Sequence, residues 1–234
     1  MNTQQQWPPP PVIAGIRAAI VDLDGTMVHT APDFQVAINR MRDELGLAPL
    51  AIETVIEFVG KGSENLMRRV LGVDFDADEV ERRFDLAMAT YQRHYLAING
   101  DYSTVYDGVH EGLAAMKARG LRLACVTNKP IAFAQALLDK TGLDAYFELV
   151  YGGDSLPKKK PDPLPMLTVC HDFALAPSQV VAIGDSSNDA EAARAAGCRS
   201  LTVPYGYNHG KPVQTIDSDG IVASLQVAAD LLAA

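Results

Sequence analysis

Cysteine is scarce in this 234-residue chain: Cys125, Cys170 and Cys198 stand far apart in sequence, each among apolar residues. That excludes a disulfide framework and a cysteine-ligated metal, and it predicts buried, reduced thiols. Positive charge is also in short supply. With 20 Lys and Arg against 29 Asp and Glu, the formal net charge is −9, and the longest basic run is Lys158-Lys159-Lys160. This argues against a nucleic-acid surface and an anionic membrane surface. No apolar stretch reaches the length that crosses a bilayer. Met1 to Pro11 is polar and then proline-rich, without the basic region, apolar core or cleavage site of a secretory leader. Residues 1–13 are therefore expected to be a disordered extension, and the cytoplasm is the default location.

What is present is the profile of a globular protein, 48% hydrophobic and 21% charged, long enough for one large domain or a domain with an insertion. Four short apolar runs, Ala18–Val21, Leu121–Val126, Val180–Ile183 and Ser200–Val203, each end in polar or glycine-containing turns. Helical patterns lie between them, at Gly108–Arg119, Ile131–Lys140, Leu164–Phe173 and Asp189–Ala196. Strands alternating with helices predict an α/β protein with a doubly wound, Rossmann-like parallel sheet. The gap between the first two strands is too long for one crossover helix. Its amphipathic segments, Phe34–Leu45, Glu64–Leu71 and Asp78–Leu96, predict a small helical cap domain over 32–103. The core is then 14–31 with 104–234, and His29–Asp33 and Asp101–Gly108 are the expected hinges.

The first strand runs into Asp22-Leu23-Asp24-Gly25-Thr26. In open α/β sheets the ligand crevice lies just past the carboxyl ends of the strands. Two carboxylates about 4 Å apart repel by roughly 4 kcal/mol at an effective dielectric of 20. A bound Mg²⁺ removes that penalty, so the stretch reads as a metal and phosphate site. The alternative is a strand ending in a plain Asp-Gly turn. Against it, polar groups recur at the next two strand ends, as Thr127-Asn128 and Gly184-Asp185. An acidic protein that handles a phosphate must concentrate its positive charge locally.

In order, the signals are Asp22-x-Asp24-Gly25-Thr26, Thr127-Asn128-Lys129, Lys160-Pro161-Asp162-Pro163 and Gly184-Asp185-Ser186-Ser187-Asn188-Asp189. This ordered set resembles the haloacid dehalogenase-like phosphohydrolases over nearly the whole chain after its first dozen residues. The resemblance implies that Asp22 is the nucleophile and that Asp24 is the general acid and base. It also implies Mg²⁺ as cofactor, held by Asp22, the Asp24 backbone carbonyl and Asp185, with Asp189 behind. Thr127 is the expected partner of a phosphate oxygen, with Asn128 beside it on the turn. Lys160, alone of the three lysines, directly precedes Pro161, where the resemblance places a cation that neutralises the transferring phosphoryl group. A Thr ending a strand and a solvated lysine run are the plainer alternatives.

Val59-Gly60-Lys61-Gly62, Thr30-Ala31-Pro32-Asp33, Val126-Thr127-Asn128-Lys129-Pro130 and Tyr205-Gly206-Tyr207-Asn208 further resemble the bacterial phosphoglycolate phosphatase branch of that family. This implies hydrolysis of 2-phosphoglycolate, a place in carbohydrate metabolism, and a small phosphorylated metabolite as partner for a monomer or homodimer. Lys61, on its glycine-flanked turn, is the expected cation for the substrate carboxylate. The alternatives are a surface loop at Lys61 and a structural turn at Tyr205–Asn208. A phosphosugar phosphatase, such as one acting on N-acetylmuramic acid 6-phosphate, is the nearest enzymatic rival, and a non-catalytic phosphoester-binding regulator the rival of another class. A dehalogenase proper is disfavoured, because carbon–halogen cleavage needs no metal acids. His94, His110 and His171 fall in helical patterns away from strand ends and are not expected to act.

Overall fold

A computed structural model describes residues 12–233. Elements are numbered in chain order. Six parallel strands form one sheet in the order β6 (Leu149–Tyr151), β5 (Arg122–Val126), β2 (Ala18–Val21), β7 (Val180–Gly184), β8 (Arg199–Thr202) and β9 (Gly220–Ile221). The chain leaves central β2 for one side of the sheet, then returns to build the other, so the order reverses beside β2. Every β2 residue is buried, because both sheet faces are covered. Ala19 and Val21 pack with α5 (Val109–Ala118), α6 (Ile131–Thr141) and α9 (Leu225–Leu231). Ala18 and Ile20 pack on the opposite face with α7 (Leu164–Asp172) and α8 (Ser187–Ala196). Period-2 alternation thus divides one strand between two apolar layers.

Four helices precede α5 on the way from β2 to β5: α1 (Ala31–Glu44), α2 (Ile52–Phe58), α3 (Ser63–Leu71) and α4 (Ala77–Ile98). Phe34, Ala37, Ile38 and Met41 of α1 face Val80, Ala87, Tyr91, Tyr95 and Ile98 of α4 within one apolar cluster, at helical spacing on both. The fully buried Arg42 pairs with Asp74 at 2.8 Å and donates to the Val70 carbonyl at 3.2 Å, tying α1 to the end of α3. The segment joins the sheet through β3 (Val28–His29) and β4 (Thr104–Val105), an antiparallel pair too short to show in the sequence pattern. The edge strands β6 and β9 were likewise absent from the expected set. Of the expected extension, residues 1–11 lie outside the described residues, whereas β1 (Ile13–Ala14) pairs with β10 (Leu232–Ala233). All three cysteines are free and buried, and Cys170 Sγ lies 3.7 Å from Cys198 Sγ despite their sequence separation. No helix among the described residues is long and apolar enough to cross a membrane.

Candidate active site

Three parallel strands end level with one another. Val21 of β2 pairs with Cys125 of β5 on one side and Ile183 of β7 on the other, so the next residues of each strand emerge together. Those residues are Asp22, Thr127 and Asp185, and they line a cavity of about 40 Å³ beside the point where the strand order reverses. Asp24 lines it too. Across the cavity stand Phe34, Leu66, Tyr91 and Tyr95 of the helical segment.

Lys160 arrives from the loop between β6 and α7. Its side chain is 2% exposed, and Nζ donates to Asp189 Oδ1 at 2.6 Å, to the Val126 carbonyl at 2.7 Å, and pairs with Asp22 Oδ1 at 2.9 Å. Lys158 is exposed and Lys159 half-buried, so Lys160 is the buried lysine of the run. Burial alone would push the ammonium pKa down, but the attraction of Asp189 and Asp22 outweighs it and the net shift is upward. It stays charged.

Asp22, Asp185 and Asp189 each offer a carboxylate oxygen, all within 4.8 Å of one another. Asp22 is raised to about 8, chiefly by burial, with Lys160 pulling it down and Asp189 and Asp185 pushing it up. Asp185 is raised to about 6, first by burial and then by Asp189, against the hydrogen bonds it accepts. Those come from Tyr207 N at 2.6 Å and Thr26 Oγ1 at 3.0 Å. Asp189, in the first turn of α8, accepts from Ser186 N and Oγ at 3.2 and 2.8 Å. Three crowded carboxylates, Asp185 and Asp189 buried and Asp22 half-buried, with Lys160 paired to Asp22 and Asp189, form an oxygen-donor set that suits a hard divalent cation. The Asp24 side chain stands apart from that set, paired instead with Lys129 at 2.9 Å.

One expectation needs correction. Lys61 is exposed and does not line the cavity, although Gly60, Gly62 and Ser63 around it do. Gly60 and Gly62 have φ of +111° and +86°, and these turns present backbone to the site and send the lysine outward. Asn128 lines the cavity, but both hydrogens of its amide are engaged, donating to the Gly60 and Lys160 carbonyls at 3.0 and 2.8 Å. It joins loops rather than offering a side-chain donor to a ligand. Thr127 Oγ1 accepts from Lys129 N at 3.2 Å, and its own proton remains available to donate.

Tyr207, His209 and Asn188 also meet at the site, though the sequence assigns none of them a role. Tyr207 reaches from Asp185 to the segment entering α1, its hydroxyl accepting from Thr30 N and Ala31 N at 2.8 and 2.9 Å. His209 bonds the Val59 carbonyl at 2.8 Å through Nδ1, and Asn188 donates to the Gly60 carbonyl at 3.1 Å. The only sequence signal for these was the turn Tyr205–Asn208 and the motif around Asn188, neither of which says what lies opposite. His94, His110 and His171 pair with Glu44, Tyr146 and Asp172, away from the cavity.

Comparison with known proteins adds to this geometry. A family model described as haloacid dehalogenase-like hydrolase matches residues 16–197. The chain is 49% identical over 214 residues to a phosphoglycolate phosphatase of Thiobacillus denitrificans, covering 92% of this chain and 94% of that protein. It is 48% identical over 217 residues to a phosphoglycolate phosphatase of Nitrosospira multiformis, covering 93% and 96%. Among solved structures, that of a predicted phosphoglycolate phosphatase from Haemophilus somnus 129pt superposes with a TM-score of 0.87 at 32% identity, covering 93% of this chain and 98% of that one.

Proposed function

The chain belongs to the haloacid dehalogenase-like hydrolases, and from that premise we propose a Mg²⁺-dependent phosphatase that hydrolyses 2-phosphoglycolate to glycolate and phosphate. The observation that carries the reading is the pair of acids at one strand end, Asp22 held by Lys160 and Asp24 by Lys129, inside a small cavity. Asp22 attacks phosphorus and forms an aspartyl-phosphate as the ester P–O bond breaks. Asp24 gives its proton to the departing glycolate oxygen, then takes one from the water that cleaves the aspartyl-phosphate. Thr127 donates to a non-bridging phosphoryl oxygen, and Lys160 balances the charge that gathers around Asp22.

The residues that would hold the metal are Asp22, Asp185 and the Asp24 carbonyl, with Asp189 steadying Lys160 behind them. When bound, Mg²⁺ supplies charge neutralisation for the carboxylates and the phosphoryl oxygens. Residues 31–98 act as a cap, with their own apolar cluster closing over the strand ends and limiting the water around the phosphoryl group. A two-carbon acid is favoured over a muramic acid phosphate as the substrate. The 48–49% identity to two phosphoglycolate phosphatases points the same way.

The test is phosphate release from 2-phosphoglycolate, N-acetylmuramic acid 6-phosphate, simple sugar phosphates and p-nitrophenyl phosphate, with Mg²⁺ and with EDTA. The expected outcome is a kcat/KM highest for phosphoglycolate and abolished by EDTA. Asp22→Asn should lower kcat by at least about 10³-fold while retaining ligand binding. Full activity of Asp22→Asn with Mg²⁺ would overturn the covalent route, and a preference for a sugar phosphate would overturn the substrate.

A further inference from the structure

Lys129 is the one Lys or Arg side chain among the described residues that line the cavity. Its side chain is 2% exposed, and Nζ lies 4.5 Å from the Phe34 ring centroid and 4.9 Å from that of Tyr95. It donates to Asp24 Oδ1 at 2.9 Å and to Tyr95 Oη at 2.6 Å. An ammonium carries three hydrogens, so two are placed and one remains. The Tyr95 hydroxyl accepts from Lys129 and gives its own proton to no acceptor among the described residues. Burial and the nearby Asp24 raise Tyr95 well above the ordinary tyrosine value, so that proton stays on. Two donors, one of them cationic, therefore border the cavity from adjoining sides, at the contact between the strand ends and α4.

We propose that Lys129, with Tyr95 beside it, is the specificity-determining site for the carboxylate of the substrate, the part that Lys61 does not reach. The inference rests on the phosphoglycolate reading and deepens it. In 2-phosphoglycolate the carboxylate carbon is two bonds from the bridging oxygen. The acid that serves the bridging oxygen, Asp24, is the residue to which Lys129 is paired, so one end of that ion pair meets the leaving oxygen and the other the carboxylate. A buried, charge-assisted hydrogen bond discriminates strongly, because an analogue lacking the carboxylate leaves the ammonium less well satisfied. The aromatic faces of Phe34 and Tyr95 hold the ammonium in place and keep bulk water from competing.

A second role is built into the same geometry, since Lys129 also positions Asp24. The two roles separate through a pair of substrates that differ only in the carboxylate, 2-phosphoglycolate and ethyl phosphate. For wild type, kcat/KM should be far higher for phosphoglycolate. Lys129→Met keeps the apolar stem, and it should reduce the ratio of the two kcat/KM values by about a hundredfold, mainly through KM for phosphoglycolate. Tyr95→Phe should reduce the ratio several-fold, and Lys61→Ala should leave it unchanged. An equal fall for both substrates in Lys129→Met would overturn the proposal and leave Lys129 only the positioning of Asp24. If Lys129→Met turns over neither substrate, Lys129→Arg and Tyr95→Phe read the same ratio, and an unchanged ratio in both overturns it. A wild type without preference for phosphoglycolate would refute the substrate reading itself, and this inference with it. That outcome is distinct because it appears before any variant is made.

Discussion

At Gly206 a β-carbon would stand 2.1 Å from Asp185 Cβ, and at Gly25, where φ is +83°, 2.5 Å from Asp185 Oδ2. One carboxylate is thus held by two glycines that no side chain could replace without moving it. His209 shows the opposite economy: a bulky residue at φ +53° persists because its ring bonds the Val59 carbonyl and Asn188. Burial lowers the His209 pKa; Val59 and Asp189 raise it, and Lys61 and Arg69 lower it further. The unfolded histidine titrates near 6.5, so the folded state binds fewer protons below that pH. The stability contributed by His209 is therefore complete above about 6.5 and is lost as pH falls toward its folded value. His209→Asn, which tolerates the left-handed backbone, should flatten the fall in Tm between about pH 7 and pH 5. Parallel Tm–pH curves for the variant and the parent would assign the acid instability elsewhere.

At the scale of elements, the entry and exit of the helical segment are locked by a single buried carboxylate. Asp33, in the first turn of α1, accepts from Gly100 N at 2.7 Å, Tyr102 N at 2.8 Å and Ser103 Oγ. Both expected hinges therefore meet at one side chain, beside the β3–β4 pair. Asp33→Ala would strip the two backbone donors of their acceptor in a buried place, at a cost of about 3 kcal/mol in a urea melt. A loss under about 1 kcal/mol would mean that β3–β4 alone holds the junction. The four central strands were legible because buried parallel strands read as continuous apolar runs. β3, β4, β6 and β9 were not, since two or three residues carry no period and pair only once the sheet exists. The start of α1 at Ala31 rather than Phe34 has a similar cause: its first N–H groups are met by Tyr207, remote in sequence.

At the scale of the whole molecule, acidity and the site are one subject. A net charge of −9 is tolerable when spread over a surface, but Asp22, Asp185 and Asp189 bring theirs to one buried point with Lys160 as the shared cation. A cation that binds the folded state alone stabilises it by about 2.7 kcal/mol at a hundred times its Kd. For a chain of this size that is a rise in Tm of about 5–10 °C. Mg²⁺ should produce such a rise in differential scanning fluorimetry, EDTA should reverse it, and Asp185→Asn should shrink it. The same Tm with and without Mg²⁺ would count against the metal reading of the acid cluster.

What the sequence by itself determined was the succession of the four central strands and the polar residues that follow them. Apolar runs and turn residues are local, and Asp22, Thr127, Lys160 and Asp185 each sit where a local signal stops. Tertiary structure alone decided which way each side chain faces. Lys61 points outward because two glycines turn its loop, and Lys129 is buried because Phe34, Tyr95 and Asp24 converge on it from three separate parts of the chain. Facing is set by packing between elements distant in sequence, and no local pattern records it.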